Sequence, residues 1–177
     1  MIQFRLSVKD VKPEIWRKLL VSSDITLEKL HAILQVLMGW KNRHLYAFVV
    51  NEKRYSPPNE DDDTARNRLI QTKLSTLFDE KIEAITYEYD FGDGWEIELR
   101  TEARNDDLLQ DQAARCIEGS RHGPAEDTGG SRGYMEKAKI YGNHQHRRYL
   151  EVRKLIGPNF DPEAFDLVQT NEKLRDI

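Results

Sequence analysis

The chain has 177 residues, with 27 Lys and Arg against 31 Asp and Glu, and a formal net charge of -4. Its length suits a single domain with a substantial core, and 38% hydrophobic residues exclude a disordered chain. No apolar run approaches the roughly 20 residues of a membrane span, and the first residues lack the apolar core of a signal peptide. The single cysteine, Cys116, allows no internal disulfide. We therefore expect a cytoplasmic protein without a membrane partner.

The first fifty residues carry a positive balance, with eight Lys or Arg against four Asp or Glu. Such a segment can meet phosphate locally. Charges that are neighbours in sequence need not cluster in space, so an ordinary solvated surface is the favoured interpretation.

The first elements follow from hydrophobic periodicity. Alternation predicts strands at Gln3–Val8 and Ile15–Val21. Thr26 is a good N-cap for a helix whose apolar stripe runs to Met38. Gly39 is well placed to end that helix in a left-handed conformation.

Further alternation predicts strands at Leu45–Val50, near Arg54–Tyr55, at Ile85–Asp90 and at Trp95–Arg100. The loop Phe91–Gly94 joins the last two as a tight hairpin. Since glycine tolerates positive φ, we expect Gly94 to be the least replaceable residue of this turn.

Outside these strands the pattern is polar or helical. Ser56–Arg68 is predicted to be an exposed loop and Lys73–Phe78 one or two helical turns. From Arg104 the pattern becomes helical, with a glycine-rich interruption at Gly119–Gly133. Asp161-Pro162-Glu163 is typical of a helix start.

Strands dominate the first hundred residues and helices the remainder, which predicts an α+β fold. We expect an N-terminal antiparallel sheet with one packed helix and a mainly helical C-terminal part, all in one domain spanning 1–177.

Six short motifs follow one another along the chain. They are Pro13-Glu14-Ile15-Trp16-Arg17; Thr26-Leu27-x-x-Leu30-His31; Met38-Gly39-Trp40 followed by His44-Leu45-Tyr46-x-Phe48; Tyr89-Asp90-Phe91-Gly92-Asp93-Gly94-Trp95-Glu96; Glu126-Asp127-x-Gly129-Gly130 followed by Gly133-Tyr134; and Asp161-Pro162-Glu163-x-Phe165-Asp166. Together they closely resemble the plasmid pRiA4b ORF-3-like family, also described as passenger proteins of a transposable element. The resemblance covers nearly the whole chain. It implies an α+β domain of prokaryotes, often associated with mobile elements, and implies no particular reaction.

Two departures from that family pattern bear on chemistry. Family members commonly read Pro-Pro-Glu-Asp, some with a following cysteine, whereas this chain has Pro124-Ala125-Glu126-Asp127-Thr128. With Cys116 as the only thiol, a structural thiolate zinc site is disfavoured. The family often has a histidine after Trp-Glu, where this chain has Ile97, so a site that needs an imidazole beside the hairpin has no candidate for it.

Four acids form the first candidate site: Asp90, Asp93, Glu126 and Asp127. Carboxylates from separate loops can hold Mg²⁺ or Mn²⁺ for phosphoryl chemistry. The favoured interpretation is local, with these acids bonding turn amides or capping a helix. We therefore expect no metal ion and no cofactor.

The histidines suggest no site by spacing alone. His144 and His146 are two residues apart and would not share a helix face. His31 lies beside the apolar stripe and is predicted to be a partly buried core residue. His44 and His122 have no partner that spacing identifies.

Aromatic and basic residues form a second candidate surface, for nucleic acid or a protein partner. It comprises Trp16, Arg17, Trp40, Lys41 and Arg43. Interleaved aromatics and cations can stack bases and contact phosphates. Large rings at element ends more often complete a core, so we expect both tryptophans to be mostly buried.

No phosphate-binding glycine motif is present. The favoured function is a non-catalytic binding or accessory module with a protein or nucleic-acid partner, associated with mobile elements. The alternative is a divalent-metal-dependent enzyme on phosphate esters or nucleic acid that uses the four acids. These two functions can be distinguished by whether the four carboxylates lie together in a cleft or point into separate turns.

Overall fold

The computed structural model describes residues 1–57, 69, 71–78, 82–104 and 113–177. Within this part of the chain there are seven strands. They are β1 (Ile2–Val8), β2 (Trp16–Val21), β3 (Tyr46–Val50), β4 (Lys53–Tyr55), β5 (Ala84–Tyr89), β6 (Trp95–Arg104) and β7 (Ala114–Ser120). They form one sheet in the order β4-β3-β5-β6-β1-β2-β7, with every neighbouring pair antiparallel.

The same residues contain five helices. They are α1 (Leu27–Met38), α2 (Leu74–Phe78), α3 (Gly130–Tyr141), α4 (Tyr149–Ile156) and α5 (Leu167–Arg175). None of the helices in the described residues is long and apolar enough to span a bilayer.

The α+β class is confirmed, but the predicted division of the chain is wrong. The sheet continues to Ser120, and the part that follows β6 is not mainly helical. β7 pairs with the outer edge of β2, with Val21 opposite Ala114 and Trp16 opposite Ser120. The glycine-rich interruption thus begins inside a strand. Most of the predicted Ser56–Arg68 loop lies outside the described residues.

The core lies between one face of the sheet and α1. Alternate strand residues such as Leu6, Ile85 and Leu99 are fully buried, as are Leu30 and Leu34 on the helix. Each large aliphatic side chain buried in this way contributes roughly 1.5–3 kcal/mol. The period-two pattern of the strands and the helical stripe of α1 therefore meet in one apolar layer.

Both predicted ends of α1 are confirmed. The Thr26 hydroxyl accepts the Lys29 amide hydrogen at 3.2 Å, which satisfies one free N–H of the first turn. Gly39 has a φ of 73° and donates its amide to the carbonyls of Gln35 and Val36. This stop sends the chain sharply away from the helix into the segment that carries His44.

The other face of the sheet carries charged side chains. Ion pairs join Lys9 to Glu96 at 2.7 Å and Lys18 to Glu118 at 3.1 Å. Such exposed pairs contribute about 0–1 kcal/mol each, so they favour solubility of this face more than stability.

The helix predicted to start at Asp161 begins instead at Leu167. The Asp161 carboxylate accepts the Glu163 amide at 2.9 Å and so forms a turn. Asp166 then provides the true N-cap, accepting from Gln169 at 2.9 Å. The Asp161 side chain thus bonds within its own turn and does not cap a helix.

The β5–β6 connection spans Asp90 to Gly94, and the Gly94 amide donates to the Asp90 carbonyl at 2.6 Å. Gly94 has a φ of 67° but open space where a Cβ would lie. Gly130 has a φ of 66°, and its Cβ would stand 2.1 Å from the Asp93 carbonyl oxygen. The expectation that Gly94 is the least replaceable residue of its turn stays a prediction, while the glycine-rich loop that packs on the hairpin has a tighter steric constraint at Gly130.

We predict that Gly130→Ala destabilises the protein more than Gly94→Ala. The second change costs about 1–2 kcal/mol through its left-handed backbone alone, whereas the first adds a backbone clash of typically 1–3 kcal/mol. Urea unfolding of both variants measures the difference. Equal losses would mean that the glycine-rich loop is not packed against the hairpin.

Candidate functional site

A buried hydrogen-bond chain holds the loop that follows α1. The Gln35 side-chain amide donates to the Tyr87 hydroxyl oxygen at 2.9 Å, and that hydroxyl lies 2.7 Å from His31 Nδ1. His31 Nε2 lies 2.9 Å from the side-chain oxygen Oδ1 of Asn42. Gln35 Oε1 accepts a hydrogen bond from the backbone N–H of Asn42 at 2.8 Å. One consistent assignment has Tyr87 donating to Nδ1 and Nε2–H donating to Asn42.

His31 is neutral in this chain of bonds because burial lowers its pKa to about 4. Its ring stacks on Tyr46 at 3.5 Å between centroids. The network fixes Asn42 with a φ of 53°. His31 is therefore a core histidine, as expected, and it sets the path of the loop that leads to His44.

Three side chains from three loops converge at one end of the sheet. His44 Nδ1 lies 3.5 Å from Asp90 Oδ2, and His44 Nε2 lies 3.3 Å from Asp127 Oδ1. One donor atom from each residue lies within 4.8 Å of the others, a spacing that a metal ion could bridge. We call this group the His–Asp–Asp cluster.

Asp90 divides its two oxygens between the hairpin and the cluster. Its Oδ1 accepts the amides of Gly92 and Asp93 at 3.1 and 3.2 Å, which stabilises the turn. Its Oδ2 faces His44, and only 12% of the side chain is exposed. Asp90 is therefore the fixed, inner member of the cluster.

Asp127 is the outer member, with 55% of its side chain exposed. It has a φ of 59°, and the loop that carries it is tied to the hairpin by Gly129, whose amide donates to Asp93 Oδ2 at 2.9 Å. Because exposure rises from Asp90 to Asp127, the cluster opens to solvent on the Asp127 side.

The His44 ring is held edge-on to Tyr89, with centroids 5.7 Å apart. Its Nε2 atom is shielded from solvent and has no hydrogen-bond partner in the described residues, although Asp127 Oδ1 is close. Two ligands on one tetrahedral cation with bonds of about 2.0–2.2 Å lie about 3.3–3.6 Å apart. The 3.3 Å separation fits that arrangement.

Glu126, the neighbour of Asp127 in sequence, forms two hydrogen bonds that hold the loop beside the cluster. Its Oε1 accepts the Tyr89 hydroxyl hydrogen at 2.6 Å and its Oε2 accepts the Lys41 amide at 3.2 Å. Burial and the hydrogen bond to Glu126 raise the pKa of Tyr89, so the phenol keeps its proton and remains a donor. Glu126 thus joins its loop to both the hairpin and the segment after α1.

The four predicted acids therefore split into pairs. Asp90 and Asp127 converge, whereas Asp93 and Glu126 bond to neighbouring loops. Sequence reasoning missed His44 as the residue between the two converging acids. The one available pointer was its place in the motif His44-Leu45-Tyr46-x-Phe48, which carried no information about its spatial partners.

The predicted aromatic and basic surface is not one surface. Trp40 is buried as expected and stacks on Tyr89 at 4.5 Å. Trp16 is partly exposed and packs on the open face of β2, away from α1, with the Arg5 guanidinium 4.9 Å from its ring. Arg17, the next residue, points to the opposite face and is buried, because neighbours on a strand alternate.

Lys41 and Arg43 remain together beside the cluster. Both are exposed, and both line a cavity of about 200 Å³ that Glu126 and Asp127 also line. Neither side chain forms an ion pair within the described part of the chain. These two cations thus line the same cavity as Asp127, the exposed member of the His–Asp–Asp cluster.

Comparison with known proteins defines the class. The family described as "Plasmid pRiA4b ORF-3-like protein" matches residues 1–169, so the chain belongs to that family. A relative named "Uncharacterized protein y4hQ", from Sinorhizobium fredii, is 31% identical over all of this chain and 92% of its own length. The crystal structure of a protein of unknown function, MM3350 from Methanosarcina mazei Go1, superposes with a TM-score of 0.78 at 29% identity. That match covers 95% of this chain and 96% of the other.

We predict an acid-sensitive stability that depends on His31. Its folded pKa of about 4 lies below the ordinary 6.5, so the unfolded chain binds the proton first as the pH falls. The stabilisation is complete above pH 6.5 and is lost progressively towards pH 4, by roughly 3 kcal/mol. Urea unfolding from pH 7 to 4 should show this loss in the wild type and a shallower dependence in His31→Gln. Parallel curves would contradict it.

Proposed function

We propose that this protein binds a divalent cation at the His–Asp–Asp cluster and uses it to hold a phosphate-bearing ligand, such as nucleic acid, against Lys41 and Arg43. The proposal keeps the predicted role of a binding module. It departs from the expectation of no metal ion, because that expectation considered the four acids without His44.

The 3.3 Å approach of His44 Nε2 to Asp127 Oδ1 carries the proposal. A nitrogen without a hydrogen-bond partner faces a carboxylate oxygen, and a cation between them would satisfy both. Asp90 would orient the imidazole or complete the ligand set. An imidazole nitrogen with carboxylate oxygens suits Mn²⁺ or Zn²⁺ better than Cu(I), which prefers thiolate or thioether ligands.

The neighbouring cations support a phosphate-bearing ligand. Lys41 and Arg43 line the same cavity as Asp127, so an anion could contact the metal and both side chains together. Bound divalent ions and Arg or Lys side chains commonly share phosphate oxygens in proteins. Association with mobile elements rests on the resemblance to the family and is consistent with a nucleic-acid ligand.

A metal-dependent phosphoesterase is the second candidate. The half-exposed position of Asp127 favours it, because coordination positions on that side would be open to water. A metal-bound water loses a proton more readily than free water. His44 and Asp127 would hold the ion, and the ion would supply a more nucleophilic water for hydrolysis, in which water adds its oxygen to phosphorus and its proton to the departing alcohol.

We predict saturable binding of about one Mn²⁺ or Zn²⁺ per chain in calorimetry. Ligand at a hundredfold excess over its dissociation constant raises the free energy of unfolding by about 2.7 kcal/mol. His44→Ala and Asp127→Asn should each weaken binding by at least about tenfold. Asn tolerates the left-handed backbone at position 127, so the fold should survive.

Asp10→Asn is the matched control, since Asp10 is also exposed and left-handed, with a φ of 57°, but lies outside the cluster. Its metal affinity should equal that of the wild type. If neither ion binds, or if all three variants bind equally, the proposed function is wrong.

The two candidate functions separate in one assay. With Mn²⁺ present, bis-p-nitrophenyl phosphate should bind without turnover if the protein is only a binding module. Turnover that Asp127→Asn abolishes and Asp10→Asn preserves would move the protein to the phosphoesterase class.

A further inference from the structure

Arg17 is a buried cation on the core side of β2. Only 1% of the residue is exposed. Its guanidinium donates to the carbonyl oxygens of Trp16 at 2.7 Å, Ser120 at 2.8 Å and Arg121 at 2.8 Å. These bonds join the ends of β2 and β7, so the side chain has one defined position.

The charge of Arg17 has no carboxylate partner among the described residues. Burial lowers its pKa to about 10, so it stays charged at neutral pH. The thiol of Cys116 interacts with it, but burial raises the pKa of that thiol to about 11, which keeps it neutral. Buried charges in proteins are normally paired, so this cation lacks its usual complement.

The guanidinium also has donors to spare. An arginine has five N–H donors. Both hydrogens of Nη1 and one of Nη2 face the three carbonyls. The Nε–H, which is buried and without a partner in the described residues, and one Nη2–H are left over. The three carbonyls therefore compensate only part of the guanidinium, and its charge remains without a counter-ion in the described residues.

A cavity of about 140 Å³ adjoins Arg17. Its polar lining includes His122, Thr170 and Lys173, and its apolar lining includes Met38 and Phe165. The Phe165 ring lies 4.0 Å from the guanidinium carbon. A cavity of about 150 Å³ admits a molecule the size of benzene, so the space suits a small ligand.

The lining is net positive. Arg17 and Lys173 contribute two cations, against one carboxylate from Asp166. That carboxylate is engaged as the N-cap of α5, with Oδ1 accepting the Gln169 amide. Met38, Gly39 and His122 line both this cavity and the one beside Lys41 and Arg43, so they form the wall between them.

We propose that this cavity is a second binding site, for a small oxyanion such as phosphate or a carboxylate, attracted by the unpaired charge of Arg17 and contacted by Lys173. The site is independent of the His–Asp–Asp cluster and needs no metal ion.

Thermal unfolding in EDTA, at constant ionic strength, tests the site with inorganic phosphate and with acetate as separate probes. We expect a saturable rise in melting temperature with at least one of them, and the effective probe identifies the anion class. Lys173→Ala should weaken that binding roughly twofold to fivefold. Arg175→Ala removes a charge from the same helix outside the cavity and should change nothing.

Arg17→Met should abolish the rise. If circular dichroism shows that this variant does not fold, the difference in anion binding between Lys173→Ala and Arg175→Ala tests the site instead. Asp127→Asn should keep full oxyanion binding, which separates this site from the proposed metal site. The inference is overturned if neither probe saturates, if the two helix variants weaken binding equally, or if folded Arg17→Met still binds.

Discussion

The chain of hydrogen bonds from Gln35 through Tyr87 and His31 to Asn42 is the interaction on which the candidate site depends. Two polar side chains on the buried face of α1 would cost several kcal/mol if unpaired, so each must find a partner. Gln35 and His31 do so through a strand residue and a loop residue. The bonds therefore fix the helix to the sheet and fix the loop that presents His44.

Three acids hold the parts of the candidate site together. Asp90 stabilises its own turn with one oxygen and faces His44 with the other. Glu126 connects its loop to Tyr89, and Asp93 connects the hairpin to Gly129. For Asp90, the local role expected in the turn and the convergence expected for a metal site are thus compatible, because a carboxylate has two oxygens and several lone pairs.

Two electrostatic environments lie on either side of the wall formed by Met38, Gly39 and His122. On one side, carboxylates and an imidazole are suited to a cation, with exposed Lys41 and Arg43 beside them. On the other, buried Arg17 is suited to an anion. The close backbone packing at Gly123, where a Cβ would stand 2.1 Å from the Met38 carbonyl oxygen, leaves this wall little room to move.

The sequence by itself determined the elements whose causes are local. Periodicity and capping chemistry predicted α1 from Thr26 to Gly39 and the hairpin around Asp90–Gly94, since neighbouring residues decide both. Only the tertiary structure decided that β7 joins the edge of β2 and that His44 meets Asp90 and Asp127. Pairing between distant segments depends on which edges and faces remain free after packing, and no local pattern carries that information.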